Sequence, residues 1–288
     1  MPLKRLPAVA SSLAQSSDVS HLSLVPLNFR TYHDLTEADH SGLAGQIGAQ
    51  RRRVAERMAT VARVVAVMSG KGGVGKSFVT AQLARALARA GRPVGVLDAD
   101  LNGPTAPQLL RLPVARCTLH DGIIDPAVSP EGVRCFSMAL LLEDGRPLAF
   151  RGPEAESFVW RGTLEAAALR EFLADVAWGR LDVLLVDLPP GMQRFAELAE
   201  LLPEPPPVVA VTIPTPQSED AVRRALHAAR ERGAPCLGVI ENMAGGPFAG
   251  DAGDALAREF GIPVLARVPF HPTDDVWDAL VPEVESSR

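Results

Sequence analysis

The sequence predicts a three-layer, doubly wound α/β fold built on a mostly parallel sheet. Three observations predict it: short β-branched runs that are apolar without alternation, helical patterns between several of them, and a glycine-rich turn that joins one such run to a helix. The 288 residues carry 29 basic and 34 acidic side chains, a net charge of −5, and 47% apolar residues. That composition buries a sizeable core and gives no global drive toward nucleic acid or anionic lipid. No apolar run approaches the roughly 18 residues that span a bilayer, and no apolar stretch of signal-peptide length follows Lys4 and Arg5. Cys117, Cys135 and Cys236 are too few and too scattered for a disulfide framework, so a reducing, cytoplasmic setting is expected.

Taken in order, residues 1–42 lack sustained periodicity and are expected to be an extension, partly disordered, ahead of one domain over 43–288. Leu43, Ile47, Val54, Met58 and Val61 fall on one helical face, with Arg51, Arg52, Arg53 and Arg57 mostly elsewhere. Val64 to Met68 reads as a strand, ended by Ser69-Gly70, and Val79, Leu83 and Leu87 then mark a helix that stops at Gly91. Further strands are expected at Pro93 to Leu97, Val183 to Val186, Val208 to Ile213, Cys236 to Ile240 and Val264 to Val268. Leu169, Phe172, Leu173 and Val176 have helical spacing, and Pro203-Glu204-Pro205-Pro206-Pro207 is a stiff connector too short to separate domains.

The turn between the first strand and its helix carries the chemistry. Gly70-Lys71-Gly72-Gly73-Val74-Gly75-Lys76-Ser77 satisfies G-x-x-x-x-G-K-[ST] at every fixed position. At this chain's residue frequencies, random order supplies roughly 0.002 such matches. Glycines let backbone N–H groups close on phosphate oxygens, and the helix N-terminus adds partial positive charge. Lys76 is placed to reach the β- and γ-phosphates of ATP and Ser77 to ligate Mg²⁺, and Phe78 completes the nucleotide-binding set. The chain has three lysines, Lys4, Lys71 and Lys76, against 26 arginines, so two of the three stand in this loop. A compact ammonium is wanted there, and a planar guanidinium does not substitute for it. Asp187 ends a strand where a Walker B aspartate holds magnesium through water, and Asp98-Ala99-Asp100 ends another, both at carboxyl ends where open α/β sheets bind ligands.

With its extra Lys71, the loop resembles the deviant Walker A of the ParA/MinD/Mrp ATPases. That resemblance implies a P-loop NTPase fold and a homodimer clasped across ATP, with Lys71 reaching the neighbour's nucleotide. Val96-Leu97-Asp98-Ala99-Asp100-Leu101-Asn102-Gly103-Pro104-Thr105 is similar to the LDADIYGPS segment of the Mrp/ApbC iron–sulfur cluster carriers. Trp160-Arg161-Gly162, and then Trp178-Gly179-Arg180-Leu181-Asp182 running to Asp187-Leu188-Pro189-Pro190-Gly191, resemble that branch's WRGP, W-x-x-LDYL and DLPPGTGD. Thr215-Pro216-Gln217 and Gly238-Val239-Ile240-Glu241-Asn242-Met243 resemble its TPQ and GVVENM. The resemblance implies that Asp100 organises the attacking water, that Asn242 hydrogen-bonds the adenine, and that the protein serves iron–sulfur cluster assembly through a client.

The departures bear on that last point. The family's cluster-binding CxxC is absent after Met243, where the chain continues Ala244-Gly245-Gly246-Pro247-Phe248-Ala249-Gly250. Cys135 and Cys236 fall on expected strands, and Cys117 falls in an expected loop. One thiolate per subunit would leave a bridged cluster in need of outside ligands. Pro-Pro-Gly-Thr-Gly-Asp has become Pro189-Pro190-Gly191-Met192-Gln193-Arg194, so hydrolysis is expected to be slow or differently controlled, and the Pro after Trp-Arg-Gly is Thr163. The rival reading is a cluster-free, ATP-gated switch that recruits or positions a protein partner. A membrane version is disfavoured by the acidic Asp274 to Arg288 segment with its Pro282. A nucleic-acid version has only the Arg51 to Arg53 cluster to support it. His21, His33, His40, His120, His227 and His271 show no metal-ligand spacing.

Overall fold

A computed structural model of the chain describes residues 43–101, 103–112, 117–141 and 168–285. The expected extension over 1–42 and the Trp160 to Thr163 segment lie outside them. The chain divides into two units, Met1–Gly45 and Gln46–Arg288, and every described strand belongs to the second.

The elements in order are α1 (Leu43–Met58), β1 (Val64–Ser69), α2 (Lys76–Arg89), β2 (Val94–Asp98), α3 (Ala106–Leu109), β3 (Thr118–His120), β4 (Ile123–Asp125), β5 (Ala127–Val128) and β6 (Arg134–Ser137). There follow α4 (168–175), β7 (Val183–Asp187), α5 (Gln193–Leu201), β8 (Val208–Thr212), α6 (Pro216–Glu231), β9 (Cys236–Ala244), α7 (Ala252–Phe260), β10 (Val264–Pro269), α8 (Asp274–Asp278) and α9 (Val281–Glu285). The main sheet runs β10-β9-β8-β1-β7-β2-β6-β5 and is parallel except for the short edge pair β5–β6. β1 lies between β7 and β8, so the chain leaves it toward both halves of the sheet, and the crevice at its carboxyl end is a topological switch point.

The strands are apolar throughout because alternate residues serve two cores. On one face Val65, Val67, Val94 and Val96 pack with Val79, Leu83 and Leu87 of α2. On the other, Ala66, Met68, Leu97, Leu184 and Val186 pack with Val54 and Met58 of α1, Leu169, Phe172 and Leu173 of α4, and Phe195 and Leu198 of α5. A strand that presents apolar groups to both faces needs helices on both, which is the three-layer arrangement the sequence implies. α2 ends as expected: Gly91 takes φ 76°, and the N–H of Arg92 closes on the Leu87 carbonyl at 3.0 Å.

Several segments differ from the sequence expectation at their ends. Val61 and Val176 lie just past their helices and bridge to Leu181 and Ile124, since a residue with apolar helical spacing can also be buried by an extended turn. β9 runs on through Glu241-Asn242-Met243 to Ala244, carrying that motif into the sheet. β3 and β4 form a hairpin not expected from periodicity. Its two-residue turn, Asp121-Gly122, has both φ values positive, the geometry that matches strand twist. The acidic C-terminal segment directs Trp277, Leu280, Val281 and Val284 into the core beside α2, so its apolar side chains are committed to the fold. No helix among the described residues is long and apolar enough to cross a membrane.

Phe136 of β6 is fully buried, and its ring lies 4.7 Å from that of Phe172 on α4. Phe136→Ala is expected to cost about 3–5 kcal/mol, read in urea denaturation as a lower midpoint with an unchanged slope.

Candidate functional site

The glycine loop links Ser69, at the end of β1, to Lys76, the first residue of α2. Its glycines divide into two kinds. A Cβ on Gly70 would lie 2.1 Å from the Ala221 carbonyl carbon of α6, and one on Gly75 would lie 2.2 Å from the Asn242 amide nitrogen. These two let neighbouring elements press against the loop. A Cβ on Gly72 or Gly73 would meet nothing within 4 Å, so these two form the open face on which a phosphate can close. Gly73 and Gly75 have φ 80° and 82°, a region that L side chains rarely adopt. Gly75 also caps α2 without any side-chain bond, so the first N–H groups of the helix are left for an anion. Val74 is buried and anchors the loop from below.

The loop walls a cavity of about 520 Å³ that also touches Asp100, Gly103, Thr105 and Pro190. Lys71 is half-buried at its edge, and Gly72 and Gly73 are exposed. Lys76 is 6% exposed, and its Nζ donates to Asp187 Oδ1 at 2.5 Å. The Thr80 hydroxyl, one helical turn on, lies 3.1 Å from the same oxygen. Asp187 is fully buried, and its Oδ2 has no hydrogen-bond partner among the described residues. A carboxylate oxygen with spare capacity, together with the Ser77 hydroxyl on the cavity wall, is a hard oxygen donor set that fits magnesium.

Asp98 pairs in register with Asp187 across β2 and β7 and organises the opposite wall. Its Oδ1 accepts from the N–H of Asp100 at 3.2 Å, and its Oδ2 accepts from the N–H of Ala106 at 3.1 Å and from the Ser137 hydroxyl at 3.2 Å. These bonds fix the loop that presents Asp100 to the cavity. Burial, and then the neighbouring Asp187 charge, push the Asp98 carboxyl up to about 7, against the pull of the two backbone N–H groups and Lys76.

The expected residues Gly70, Lys71, Gly72, Gly73, Val74, Gly75, Lys76, Ser77, Phe78, Asp100 and Asp187 are therefore brought to one place. Asn242 is placed differently from the expected adenine contact. It is 4% exposed and stands against Gly75, with its Nδ2 donating to the Val74 carbonyl at 2.9 Å. Because β9 continues through it, the amide braces the loop from the sheet side. Sequence reasoning gave no separate role to Thr80 or Asp98. The i+4 spacing from Lys76 could have found the first, and the strand-terminal Asp-Ala-Asp the second.

The cysteines do not converge. Cys135 is fully buried and Cys117 and Cys236 are half-buried, and burial pushes all three thiols above their usual range. Among the described residues, no group of three or more His, Cys, Asp or Glu is arranged to hold a metal ion. Of the arginine cluster on α1, Arg53 pairs with Asp175 at 3.3 Å and Arg57 donates to the Ala174 carbonyl, while Arg51 and Arg52 are exposed.

Comparison with known proteins places this site in a family. The ParA family described as NUBPL iron-transfer P-loop NTPase matches residues 60–282. An iron–sulfur cluster carrier protein of Saccharolobus solfataricus is 37% identical over 240 residues, 79% of this chain and 78% of its own length. The cytosolic Fe-S cluster assembly factor NUBP2 of Bos taurus is 39% identical over 231 residues, 75% of this chain and 82% of its own. A nucleotide-binding protein from Archaeoglobus fulgidus, solved in complex with ADP, superposes with a TM-score of 0.64 at 31% identity, covering 82% of this chain and 94% of its own. The cell division ATPase MinD of Pyrococcus furiosus shares the fold, with a TM-score of 0.53 at 20% identity over 78% of this chain and 98% of its own.

Asp98 also sets a pH dependence. A carboxyl raised on folding binds its proton more tightly in the native state, so its contribution is full below the unfolded value near 4 and is lost as pH rises through about 7. Between about pH 5 and pH 8 the protein without nucleotide is expected to lose on the order of 2 kcal/mol from this group. Asp98→Asn is expected to flatten that slope in urea melts recorded across the range.

Proposed function

The chain belongs to the ParA-type family of NUBPL iron-transfer P-loop NTPases, and from that premise we propose that it is a magnesium-dependent ATPase that works as a homodimer in iron–sulfur cluster assembly. The observation that carries the ATPase reading is the open Gly72-Gly73 face over an uncapped helix N-terminus, with Lys76 and Asp187 paired at its root. The backbone N–H groups of the loop cradle the α- and β-phosphates. Lys76, on a flexible stem, exchanges its Asp187 contact for the β- and γ-phosphate oxygens. Ser77 and Asp187 would hold magnesium, which when bound supplies charge neutralisation between those phosphates. Asp100, fixed by Asp98, orients a water in line with the γ-phosphorus; the new P–O bond forms as the bond to the β-phosphate oxygen breaks, giving ADP and phosphate.

The half-buried Lys71 at the cavity edge is placed to serve the nucleotide of a second copy, adding positive charge as an arginine finger does. Phe78 and Asn242 act on the nucleotide through the loop: Phe78 lines the cavity, and Asn242 sets the position of Gly75 and Val74. Residues 43–288 act as the ATPase domain. The family name and the relatives' names support the iron–sulfur role and a cytoplasmic setting. The cluster would be cargo, and the buried thiols offer it poor ligands, so a client would supply most of them. A second reading, an ATP-gated switch that recruits a protein partner without carrying iron, is favoured by those same thiols.

Lys76→Ala is expected to abolish nucleotide binding in calorimetry, whereas Lys71→Ala is expected to keep it while losing ATP-dependent dimerisation in size-exclusion chromatography and about 10³-fold or more in turnover. Normal turnover and dimerisation of Lys71→Ala would refute the shared site. Anaerobic reconstitution with iron and sulfide, followed by absorbance and iron analysis, is expected to load the protein only when a client is present. A stoichiometric cluster on the isolated dimer would overturn the assignment of ligands to the client. Absence of iron in both cases would leave the switch reading standing.

A further inference from the structure

Beside the phosphate cavity lies a second one of about 640 Å³, and the two share Asp100, Gly103 and Pro190 as a common wall. Its far side is the start of α5, from Gly191 to Arg194. Arg194 is 7% exposed, a deep position for a guanidinium, and it pairs with Glu197 one turn along the same helix. Its location is electrostatically costly in two ways. A buried cation loses hydration, and this one stands in the first turn of a helix, where the backbone already presents partial positive charge. The first turn of α5 contains no acidic residue, and Met192 provides no side-chain cap. Glu197 offsets part of the cost, and an anion in the adjoining cavity would offset more, meeting the guanidinium and the helix N–H groups together.

The segment is also held in register with the phosphate loop. The N–H of Leu188 donates to the Val67 carbonyl and that of Gly191 to the Ser69 carbonyl, each at 3.2 Å. These bonds tie the approach to α5 to the end of β1, so Arg194 is fixed relative to the loop rather than carried on a free strand. Gly191 turns the chain there at φ 103°, which aims the helix start at the shared wall.

We propose that Arg194 is a same-chain contact for the terminal phosphate of the bound nucleotide, held by Glu197 until a triphosphate draws it across the shared wall. The proposal rests on the ATPase reading and deepens it: the site distinguishes triphosphate from diphosphate by its own cation, in addition to the lysine offered by a second copy. A planar guanidinium suits this task because it can take two phosphoryl oxygens at once. Where the related carriers have a polar and an acidic residue, this chain therefore adds positive charge next to the departing phosphoryl group.

The test is calorimetry of the full chain with magnesium and either ADP or a non-hydrolysable ATP analogue. Arg194→Ala is expected to weaken the analogue about tenfold or more, the worth of a hydrogen bond to a charged group, while leaving ADP within about twofold. Arg194→Lys should recover part of the loss. Glu197→Gln, which releases the guanidinium, should tighten the analogue several-fold, by roughly 2–5 times, with ADP unchanged. Equal weakening of both nucleotides by Arg194→Ala, or no weakening of either, would overturn the proposal. If Arg194→Ala does not fold, Glu197→Gln decides, since an unchanged ratio of analogue to ADP affinity sinks the idea. A wild-type protein that binds neither nucleotide would instead remove the ATPase reading itself.

Discussion

The site depends on one buried ion pair. Lys76 opens α2, Asp187 closes β7, and their 2.5 Å contact joins the phosphate loop to the neighbouring strand. Taking both charges out of water costs several kcal/mol per ion, which mutual attraction repays only with good geometry and further hydrogen bonds. Thr80 supplies one such bond, and Asp187 Oδ2 is left over. The pair is therefore held but not saturated. A phosphate and a hard cation satisfy it more fully than the protein alone, which gives a physical reason for nucleotide to act on this structure at its centre.

From that pair outward, the structure is a set of close approaches. Gly70 admits α6, Gly75 admits Asn242, and Gly95 on β2 admits Trp178, Leu181 and Leu184, whose side chains a Cβ there would meet at 2.7–3.2 Å. Motifs with a functional air are in several cases architecture. Thr215-Pro216-Gln217 is a helix start, in which the Thr215 hydroxyl accepts from the Ser218 N–H and Pro216 fills the first turn, and it sets the α6 that presses on Gly70. Trp178 fills the space above Gly95, and its carbonyl takes a 2.6 Å bond from Arg134. These segments place the phosphate loop without touching its ligand.

Charge is distributed unusually around the cavity. Lysine is confined almost wholly to the loop, and the next cation is the buried Arg194 in a helix turn that disfavours it. Thiolates, by contrast, are scarce: the three cysteines sit on or beside strands whose burial holds them protonated. The chain thus keeps the nucleotide half of a carrier in full and has little of the cluster-holding half. ATP-dependent work on a partner's cluster accords with both facts.

The glycine-lysine spacing, the apolar runs and the helical periodicities are local properties, and they were sufficient for the fold class, the main strands and the residues that meet at the cavity. Glycine at a positive φ and lysine at a helix start have the same consequences wherever they occur, which is why Gly73, Gly75 and Lys76 could be read directly. The short hairpin at Asp121-Gly122 and the extension of β9 were not legible, since strands of three residues carry too little periodicity and Glu241-Asn242 interrupts an apolar pattern. What only the tertiary structure decided is how distant side chains share space. Asp98 beside Asp187 follows from strand register, Asn242 behind Gly75 from the continuation of β9, and Arg194 beside the phosphate cavity from the turn at Gly191. Each is a contact between residues remote in the chain, and burial together with register, neither encoded at a single position, determines it.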